Sequence, residues 1–207
     1  METLRLAASD PDSISRALDV LRAGGLVAFP TDTVYGVGAL AFDGAAIEAI
    51  YAAKDRPVEK AIPILIAGAD ELGKVAERVP HMAQVLAARF WPGPLTLVIP
   101  KLPTLPEAVS ATSTVAVRVP DHPVARALLR QAGPMAVTSA NLSGEDNPIT
   151  AGDVLRQLGG RIPLILDGGS APGGTPSTVV DCLGIHPSIL REGPVAMEQL
   201  MEALRDS

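Results

Sequence analysis

The stretch LILDGGSAPGGTPSTVVDCLGIHPSIL at residues 164–190 decides the fold. Three short apolar runs in it, at 164–166, 178–180 and 189–190, predict β-strands. The segments between them are short and rich in glycine and proline, so they leave no room for helices. Parallel neighbours in a sheet need a crossover of a dozen or more residues, whereas strands this close can pair antiparallel. We therefore expect a sheet that mixes parallel and antiparallel strands.

Outside this stretch, strand-like and helix-like patterns alternate along the chain. This alternation predicts an α/β fold, a twisted mixed sheet with flanking helices, in a single domain over residues 1–207. Further strands are predicted at 26–29, 62–67, 95–99, 114–119 and 135–139. Helices are predicted over about 14–21, from an N-cap at Asp43 to about Lys54, near 71–78, over 81–90, around 124–128, after a capping box of Thr150 and Asp153, and over 197–204.

Composition excludes several classes of protein. Of the 207 residues 47% are hydrophobic and 19% are charged, which is typical of a compact soluble chain. The single cysteine, Cys182, rules out a disulfide framework and makes a reducing cytoplasm the expected location. No apolar run reaches the roughly 18 residues of a membrane span, and acidic Glu2 follows Met1, so we expect neither a signal peptide nor a membrane anchor.

Nucleic-acid binding is disfavoured by charge and by the position of the aromatic residues. The formal net charge is −6, which supplies no basic field for a phosphate backbone. All six aromatic side chains lie at or before Trp91, so the rest of the chain offers no platform for stacking bases. We expect weak or no direct binding of nucleic acid.

Two glycine motifs resemble nucleotide-binding loops but fail in detail. GADELGKV at 68–75 has the glycines and lysine of a P-loop, yet Val75 stands where serine or threonine would ligate magnesium. GVGALA at 36–41 matches a dinucleotide fingerprint in spacing, but no strand ends and no helix begins there. The three histidines are far apart in the sequence, so we predict no metal-binding residues.

Three polar segments are candidates for a binding site. KDRPVEK at 54–60 carries Arg56 and Lys60 on a loop, because Pro57 ends the preceding helix. TSANLSG at 138–144 and PTDTVYG at 30–36 each place hydroxyl groups just past a buried strand, where ligands bind in open sheets. Taken singly, the first is also compatible with a solvated charged face and the second with an ordinary turn.

The pairing of Lys54-x-Arg56 with Ser139-x-Asn141 resembles the signature tetrad of the YrdC-like threonylcarbamoyl-AMP synthases. The similarity extends over about 165 residues, and the joint order of several motifs is far more specific than any one of them. These are PTDTVYG at 30–36, KDRP at 54–57, WPGPLT at 91–96, VRVPDH at 117–122, TSANLSG at 138–144, PSTVVD at 176–181 and ILREGP at 189–194.

The resemblance implies a nucleotidyltransferase with a sheet folded around a deep cavity. Such an enzyme condenses L-threonine, bicarbonate or carbon dioxide and ATP into threonylcarbamoyl-AMP and pyrophosphate. ATP is then a substrate, Mg²⁺ enters with it, and the product passes to a tRNA threonylcarbamoyl transferase complex that modifies the adenosine beside the anticodon. Because the chain ends after the helix at 197–204, it resembles the short form of the family.

Matching positions carry the family's residue roles to this chain. The implied catalytic tetrad is Lys54, Arg56, Ser139 and Asn141. The implied ATP contacts are Arg56, Lys60, Thr114, Asn141, Thr150 and Arg191, with Glu192 beside the last of them. The implied threonine contacts are Thr33, Leu65, Arg118, Ser139 and Ser177. Among these, Arg118 has the forked geometry that grips a carboxylate through two parallel hydrogen bonds.

Two other functions stay open at this point. One is an RNA-binding or ribosome-maturation module, which the acidic balance and the aromatic distribution disfavour. The other is carbamoyl transfer from a different small donor, since related domains occur in such enzymes.

Overall fold

The computed structural model describes residues 2–205. Met1, Asp206 and Ser207, which belong to the predicted 1–207 domain, lie outside the described residues. The strands are β1 (Leu4–Ala7), β2 (Val27–Phe29), β3 (Gly36–Leu40), β4 (Ile64–Leu65), β5 (Leu95–Pro100), β6 (Thr114–Arg118), β7 (Met135–Ser139), β8 (Leu164–Asp167), β9 (Thr178–Asp181) and β10 (Ser188–Arg191). The helices are α1 (Ser13–Arg22), α2 (Gly44–Lys54), α3 (His81–Phe90), α4 (Pro123–Ala132), α5 (Ala151–Leu158) and α6 (Met197–Arg205), with a 3₁₀ helix at Ala69–Lys74.

All the described strands join one ten-stranded sheet in the order β1-β8-β2-β3-β7-β4-β6-β5-β9-β10. Four neighbouring pairs are parallel, namely β1–β8, β2–β8, β4–β6 and β5–β9. The other pairs are antiparallel. The predicted mixed sheet is thus confirmed, and the hairpin of β9 and β10 is the close antiparallel pair expected within 164–190. However, β8 lies between β1 and β2, well away from β9.

Sequence patterns missed two strands. β1 is only four residues long, and β3 covers the glycine segment that we weighed as a dinucleotide motif. A Cβ atom added to Gly36 or Gly38 would lie 2.7 Å from a methyl group of Val137 on the neighbouring β7. The glycines therefore let these two strands approach closely, which explains their presence here without any phosphate ligand.

Two other predicted elements are shorter than expected. The strand predicted at 62–67 forms ladder pairs only at Ile64–Leu65. The helix predicted near 71–78 is the 3₁₀ turn Ala69–Lys74, because the following residues leave the helix to bond with the end of β5. Ala76 pairs with Lys101, and the amide of Glu77 donates to the carbonyl of Pro100 at 3.1 Å.

The helices pack on both faces of the sheet. Alternate residues of β7 show this. Ala136 packs in the apolar cluster on the first face, and Met135 and Val137 pack in the apolar cluster on the second face. Helices α1 and α4 cover the second face, and α2, α3, α5 and α6 supply buried residues to the first. The longest described helix has 11 residues, and none within 2–205 is long and apolar enough to cross a bilayer.

Local sequence signals set the ends of two helices near the site. The carboxylate of Asp43 accepts from the amide of Ala46 at 3.0 Å and caps α2, as predicted. Thr150 and Asp153 form the predicted capping box at the start of α5. At its other end α2 stops at Asp55, whose φ of 50° reverses the chain into the basic loop.

Candidate active site

A cavity of about 360 Å³ opens in the sheet where the predicted polar segments meet. Its walls come from the segment after β2, the loop after α2, the central strands β4 to β7, and the hairpin of β9 and β10. The lining residues are Thr31, Thr33, Val34, Gly36, Arg56, Ala61, Pro63, Leu65, Thr96, Ala116, Arg118, Val137, Thr138, Ser139, Asn147, Pro176, Ser177, Val179, Leu190 and Arg191.

Three guanidinium groups, those of Arg56, Arg118 and Arg191, face this cavity. Burial lowers the pKa of all three, and the pKa of Arg191 is lowered further by the positive charges of the other two. Arginine stays protonated despite such shifts. None of the described residues that line the cavity is acidic. The cavity is therefore strongly electropositive and suited to an anionic ligand.

Arg56 is held by the loop that carries it. Its Nε donates to the carbonyl of Lys60 at 3.1 Å, and one terminal nitrogen donates to the carbonyl of Ala61 at 2.9 Å. A guanidinium has five N–H groups, so three remain for a ligand. The Lys60 residue is exposed and does not line the cavity.

Arg191 projects from the end of β10 onto Ser177. Its Nε and one terminal nitrogen both donate to the Ser177 carbonyl, at 3.1 and 2.8 Å, and the terminal nitrogen also reaches the Ser177 hydroxyl at 3.1 Å. That hydroxyl lies 2.7 Å from the hydroxyl of Thr96. Both Arg191 and the neighbouring Glu192 are exposed, but only Arg191 of the two lines the cavity.

Arg118 is the most deeply buried of the three arginines, with 6% of its surface exposed. Its Nε donates to the carbonyl of Gly93 at 3.0 Å, and one terminal nitrogen donates to the hydroxyl of Thr33 at 3.0 Å. The other terminal nitrogen forms an ion pair with Asp32. Burial lowers the pKa of Arg118 and the Asp32 carboxylate opposes that shift. Two N–H groups remain free to meet a carboxylate.

Lys54 lies beneath the cavity rather than in its wall, and only 1% of its surface is exposed. Its ammonium donates to the backbone carbonyls of Ser139 and Asn141. Burial, with a smaller contribution from the charge of Arg56, lowers the pKa of Lys54 to about 7. The lysine therefore ties the end of α2 to the turn after β7.

The serine and asparagine of the predicted tetrad take different positions. The Ser139 hydroxyl lines the cavity and donates to the side-chain carbonyl of Asn141 at 2.5 Å. The Asn141 amide nitrogen donates to the carbonyls of Leu142 and Glu145, at 2.9 and 2.7 Å. The polar groups of Asn141 thus stabilise the turn, and they do not face the cavity.

Two more predicted contacts lie outside the cavity wall. Thr114 is the first residue of β6 and shares a strand face with Ala116 and Arg118, but it does not line the cavity. Its hydroxyl lies 2.9 Å from the hydroxyl of Thr112. Thr150 uses its hydroxyl to cap α5. The structure therefore brings into one cavity Thr33, Arg56, Leu65, Arg118, Ser139, Ser177 and Arg191, and leaves outside its wall Lys54, Lys60, Thr114, Asn141 and Thr150.

Sequence reasoning missed several polar residues of the cavity. Thr31, Thr96 and Thr138 stand within the motifs quoted above, so their place in those motifs was the available signal. The hydroxyl of Thr31 lies 3.0 Å from that of Thr33. Asn147 also lines the cavity and carried no sequence signal. Within residues 2–205, no cluster of three or more histidine, cysteine, aspartate or glutamate side chains could hold a metal ion.

Comparison with known proteins places this chain in a family. The Sua5/YciO/YrdC family model, described as "Telomere recombination", matches residues 19–193. A threonylcarbamoyl-AMP synthase of Bacillus subtilis is 43% identical over 201 residues, covering 96% of this chain. A putative threonylcarbamoyl-AMP synthase of Mycobacterium tuberculosis is 41% identical over 201 residues, covering 95% of this chain and 93% of the relative. The chain spans only 58% of the Bacillus subtilis relative.

Solved structures of members of this family also match the chain. The structure of Pyrococcus abyssi Sua5 complexed with L-threonine matches with a TM-score of 0.89 and 42% identity, over 92% of this chain and 57% of that one. Escherichia coli YciO matches with a TM-score of 0.83 and 26% identity, over 96% of this chain and 98% of that one. The chain therefore belongs to the Sua5/YciO/YrdC family, the family of the threonylcarbamoyl-AMP synthases that its motifs resemble.

Proposed function

We propose that this protein is an L-threonylcarbamoyladenylate synthase, which condenses L-threonine, bicarbonate or carbon dioxide, and ATP. The observation that carries the proposal is the convergence of Arg56, Arg118 and Arg191 on one cavity lined by hydroxyl groups. Both substrates that must meet are anions at the moment of reaction, so neutralising their charge is the main task of the site. The names of the relatives and the threonine complex of the Pyrococcus abyssi protein agree with it.

The reaction has two bond-forming steps. The ammonium group of threonine loses one proton to become an amine, the amine nitrogen attacks the carbon of carbon dioxide, and the nitrogen then releases a second proton to water to give the carbamate. A carbamate oxygen then attacks the α-phosphorus of ATP, the bond to the β-phosphate oxygen breaks, and pyrophosphate leaves. The carbamate is short-lived in water, so holding it beside ATP in one cavity supplies much of the catalysis through proximity, with an upper limit of about 7–11 kcal/mol.

The two substrates divide the arginines between them. Arg118 takes the threonine carboxylate through its two free N–H groups, with Thr33, Ser139, Ser177 and the apolar wall at Leu65 around the amino acid. Arg56 and Arg191 take the phosphates and stabilise the charge that moves to pyrophosphate. The cations act strongly because they are partly removed from water.

The predicted residues outside the cavity wall fall into two groups, one that supports the cavity and one at its rim. Lys54 and Asn141 are positioning residues, because their polar groups hold the turn that presents the Ser139 hydroxyl. Lys60, Thr114 and Thr150 contact parts of the nucleotide that extend beyond the cavity wall.

Magnesium enters as part of its complex with ATP. The described cavity residues offer hydroxyl, amide and guanidinium groups, and the hard Mg²⁺ ion prefers carboxylate and phosphate oxygens. These residues do not fit a dedicated Mg²⁺ site, so the phosphates of ATP themselves carry the ion.

The product is the substrate of a second enzyme in this proposal. The activated carbamoyl group passes to a tRNA threonylcarbamoyl transferase complex, which modifies the adenosine beside the anticodon. Residues 1–207 form one catalytic domain in this proposal, working in the cytoplasm without direct binding of nucleic acid.

The test is a reconstituted reaction. Purified protein with ATP, Mg²⁺, L-threonine and bicarbonate should release pyrophosphate and form threonylcarbamoyl-AMP, detected by mass spectrometry, and each omission should abolish both signals. Product formed instead from another carbamoyl donor, without threonine, would favour carbamoyl transfer. Tight, salt-sensitive RNA binding without any turnover would favour an RNA-binding module.

A further inference from the structure

Asp32 is a partly buried carboxylate beside the cavity. It lies between Thr31 and Thr33, whose side chains line the cavity wall, and it pairs with Arg118. The Asp32 side chain is 13% exposed and that of Arg118 is 8% exposed, so water screens the pair only weakly.

One oxygen of Asp32 joins two segments of the chain. Its Oδ1 accepts from a terminal nitrogen of Arg118 and, at 3.0 Å, from the backbone amide of Asp121. The segment after β2 is thereby attached to the last residue of β6 and to the segment after it, 86 and 89 residues further along the chain.

This ion pair completes the fixation of the Arg118 guanidinium. Gly93 and Thr33 hold two of its nitrogens, and Asp32 holds the third. The group is planar, so fixing all three nitrogens determines where the remaining two N–H bonds point. Without Asp32, only the hydrogen bonds to Gly93 and Thr33 would hold the orientation of the guanidinium.

We propose that Asp32 is a positioning residue, whose Oδ1 orients Arg118 to receive the carboxylate of the amino-acid substrate. The inference rests on the function proposed above and extends it to a residue that does not itself touch the substrate. A negative charge beside Arg118 weakens its attraction for an anion, so the benefit of Asp32 to binding is geometric. An acceptor at the same place should therefore suffice, with or without its charge.

Two conservative variants separate position from charge. Asp32→Asn keeps an acceptor oxygen in place and removes the charge, whereas Asp32→Glu keeps the charge and moves it by about 1.5 Å. L-threonine binding is measured by calorimetry, and threonine KM and kcat by pyrophosphate release. Asp167→Asn is the matched control, because Asp167 forms an ion pair with Arg5 of the edge strand β1 and does not line the cavity.

The expected result is a split between the two variants. Asp32→Glu should raise the threonine Kd and KM ~10-fold or more with little change in kcat, since small misplacements of positioning groups have effects of this size. Asp32→Asn should stay within ~3-fold of the parent protein, and ATP affinity should be unchanged in both. The control should bind threonine as the parent does.

Other patterns would overturn the inference. Parent-like threonine binding by Asp32→Glu would show that the position of the carboxylate is irrelevant. A loss in Asp32→Asn as large as that in Asp32→Glu would show that the charge of Asp32 is needed as well as its position, which contradicts a purely geometric role. Equal loss of threonine and ATP affinity with a lowered Tm would indicate a purely structural role. If the parent protein binds no threonine at all, the proposed function fails and this inference fails with it.

Discussion

Arg118 and Arg56 face the same cavity but are held in different ways. Arg118 ends a central strand and is bonded by three separate residues outside that strand, at Asp32, Thr33 and Gly93. Arg56 stands on a short loop, and within residues 2–205 its guanidinium donates to carbonyls of that same loop, at Lys60 and Ala61. The first arginine is held by contacts between distant segments of the fold, while the second is held by contacts within its own loop.

The two arginines suit two different anionic groups, a substrate carboxylate and a triphosphate. A substrate carboxylate keeps its charge throughout the reaction, so a rigid cation can bind it equally in the ground and transition states. Charge on the triphosphate moves as pyrophosphate leaves, so a cation that contacts it contributes most in the transition state. We therefore propose that Arg118 serves substrate recognition and that Arg56 serves catalysis.

The largest expected effect comes from Arg56→Ala. Removal of a charge-assisted hydrogen bond to the phosphates should lower kcat ~10²-fold or more, with little change in threonine KM. Pyrophosphate release at saturating substrates measures it, and Tm is the folding control. A variant that loses only threonine affinity would contradict the division of roles.

Arg118→Ala should give the opposite pattern. Removing the carboxylate contact should raise threonine KM ~30-fold, as expected for a hydrogen bond to a charged group, and should change kcat much less. Steady-state kinetics with threonine as the varied substrate measures this. Threonine KM equal to that of the parent protein would exclude Arg118 from substrate binding.

Lys54→Met tests the support beneath the cavity. The variant leaves the carbonyls of Ser139 and Asn141 without their donor, which should lower the free energy of unfolding by about 1–3 kcal/mol at neutral pH. Denaturant unfolding measures the loss. Activity should fall as well, because the turn that carries the Ser139 hydroxyl loses its anchor.

The pH dependence of the same variant gives a second readout. The pKa of Lys54 is lowered from 10.5 to about 7 in the folded protein, so between these values the unfolded chain binds more protons than the folded one. Stability of the parent protein should therefore rise with pH over that range relative to Lys54→Met, and the difference should be constant below it. A pH-independent difference across the range would show that Lys54 stays protonated in the folded protein.

The smallest expected effect is that of Lys60→Ala. This residue is exposed at the rim, on the same loop as Arg56, and exposed charges are strongly screened. ATP KM should rise only ~2–3-fold at low salt, and the increase should vanish at high salt. A loss as large as that of Arg56→Ala would mean that the loop closes and buries the lysine.

Much of the fold could be read from local patterns. The mixed sheet, the helix caps at Asp43 and Thr150, and the end of α2 at Lys54 all follow from signals within a few residues. The strand at Gly36–Leu40 could not be recognised from local sequence. Its glycines are needed because Val137 packs closely against them, and Val137 belongs to a strand about 100 residues further along the chain.

The site was predictable as a set of residues but not as an arrangement. The motifs identified the arginines and hydroxyls that line the cavity, yet they gave no hint that Lys54 and Asn141 face away from it. The partners of Lys54 lie 85 and 87 residues further along the chain. Which way a side chain points at such a junction depends on the packing of both segments.

By itself, the sequence determined where most helices and strands form and which residue types the site contains, because periodicity, capping and charge act over short distances along the chain. Only the tertiary structure decided the strand order, the place of β8 between β1 and β2, and the pairing of Asp32 with Arg118. These depend on contacts between distant segments, whose free energy arises only when the whole sheet has formed and water has been excluded from it.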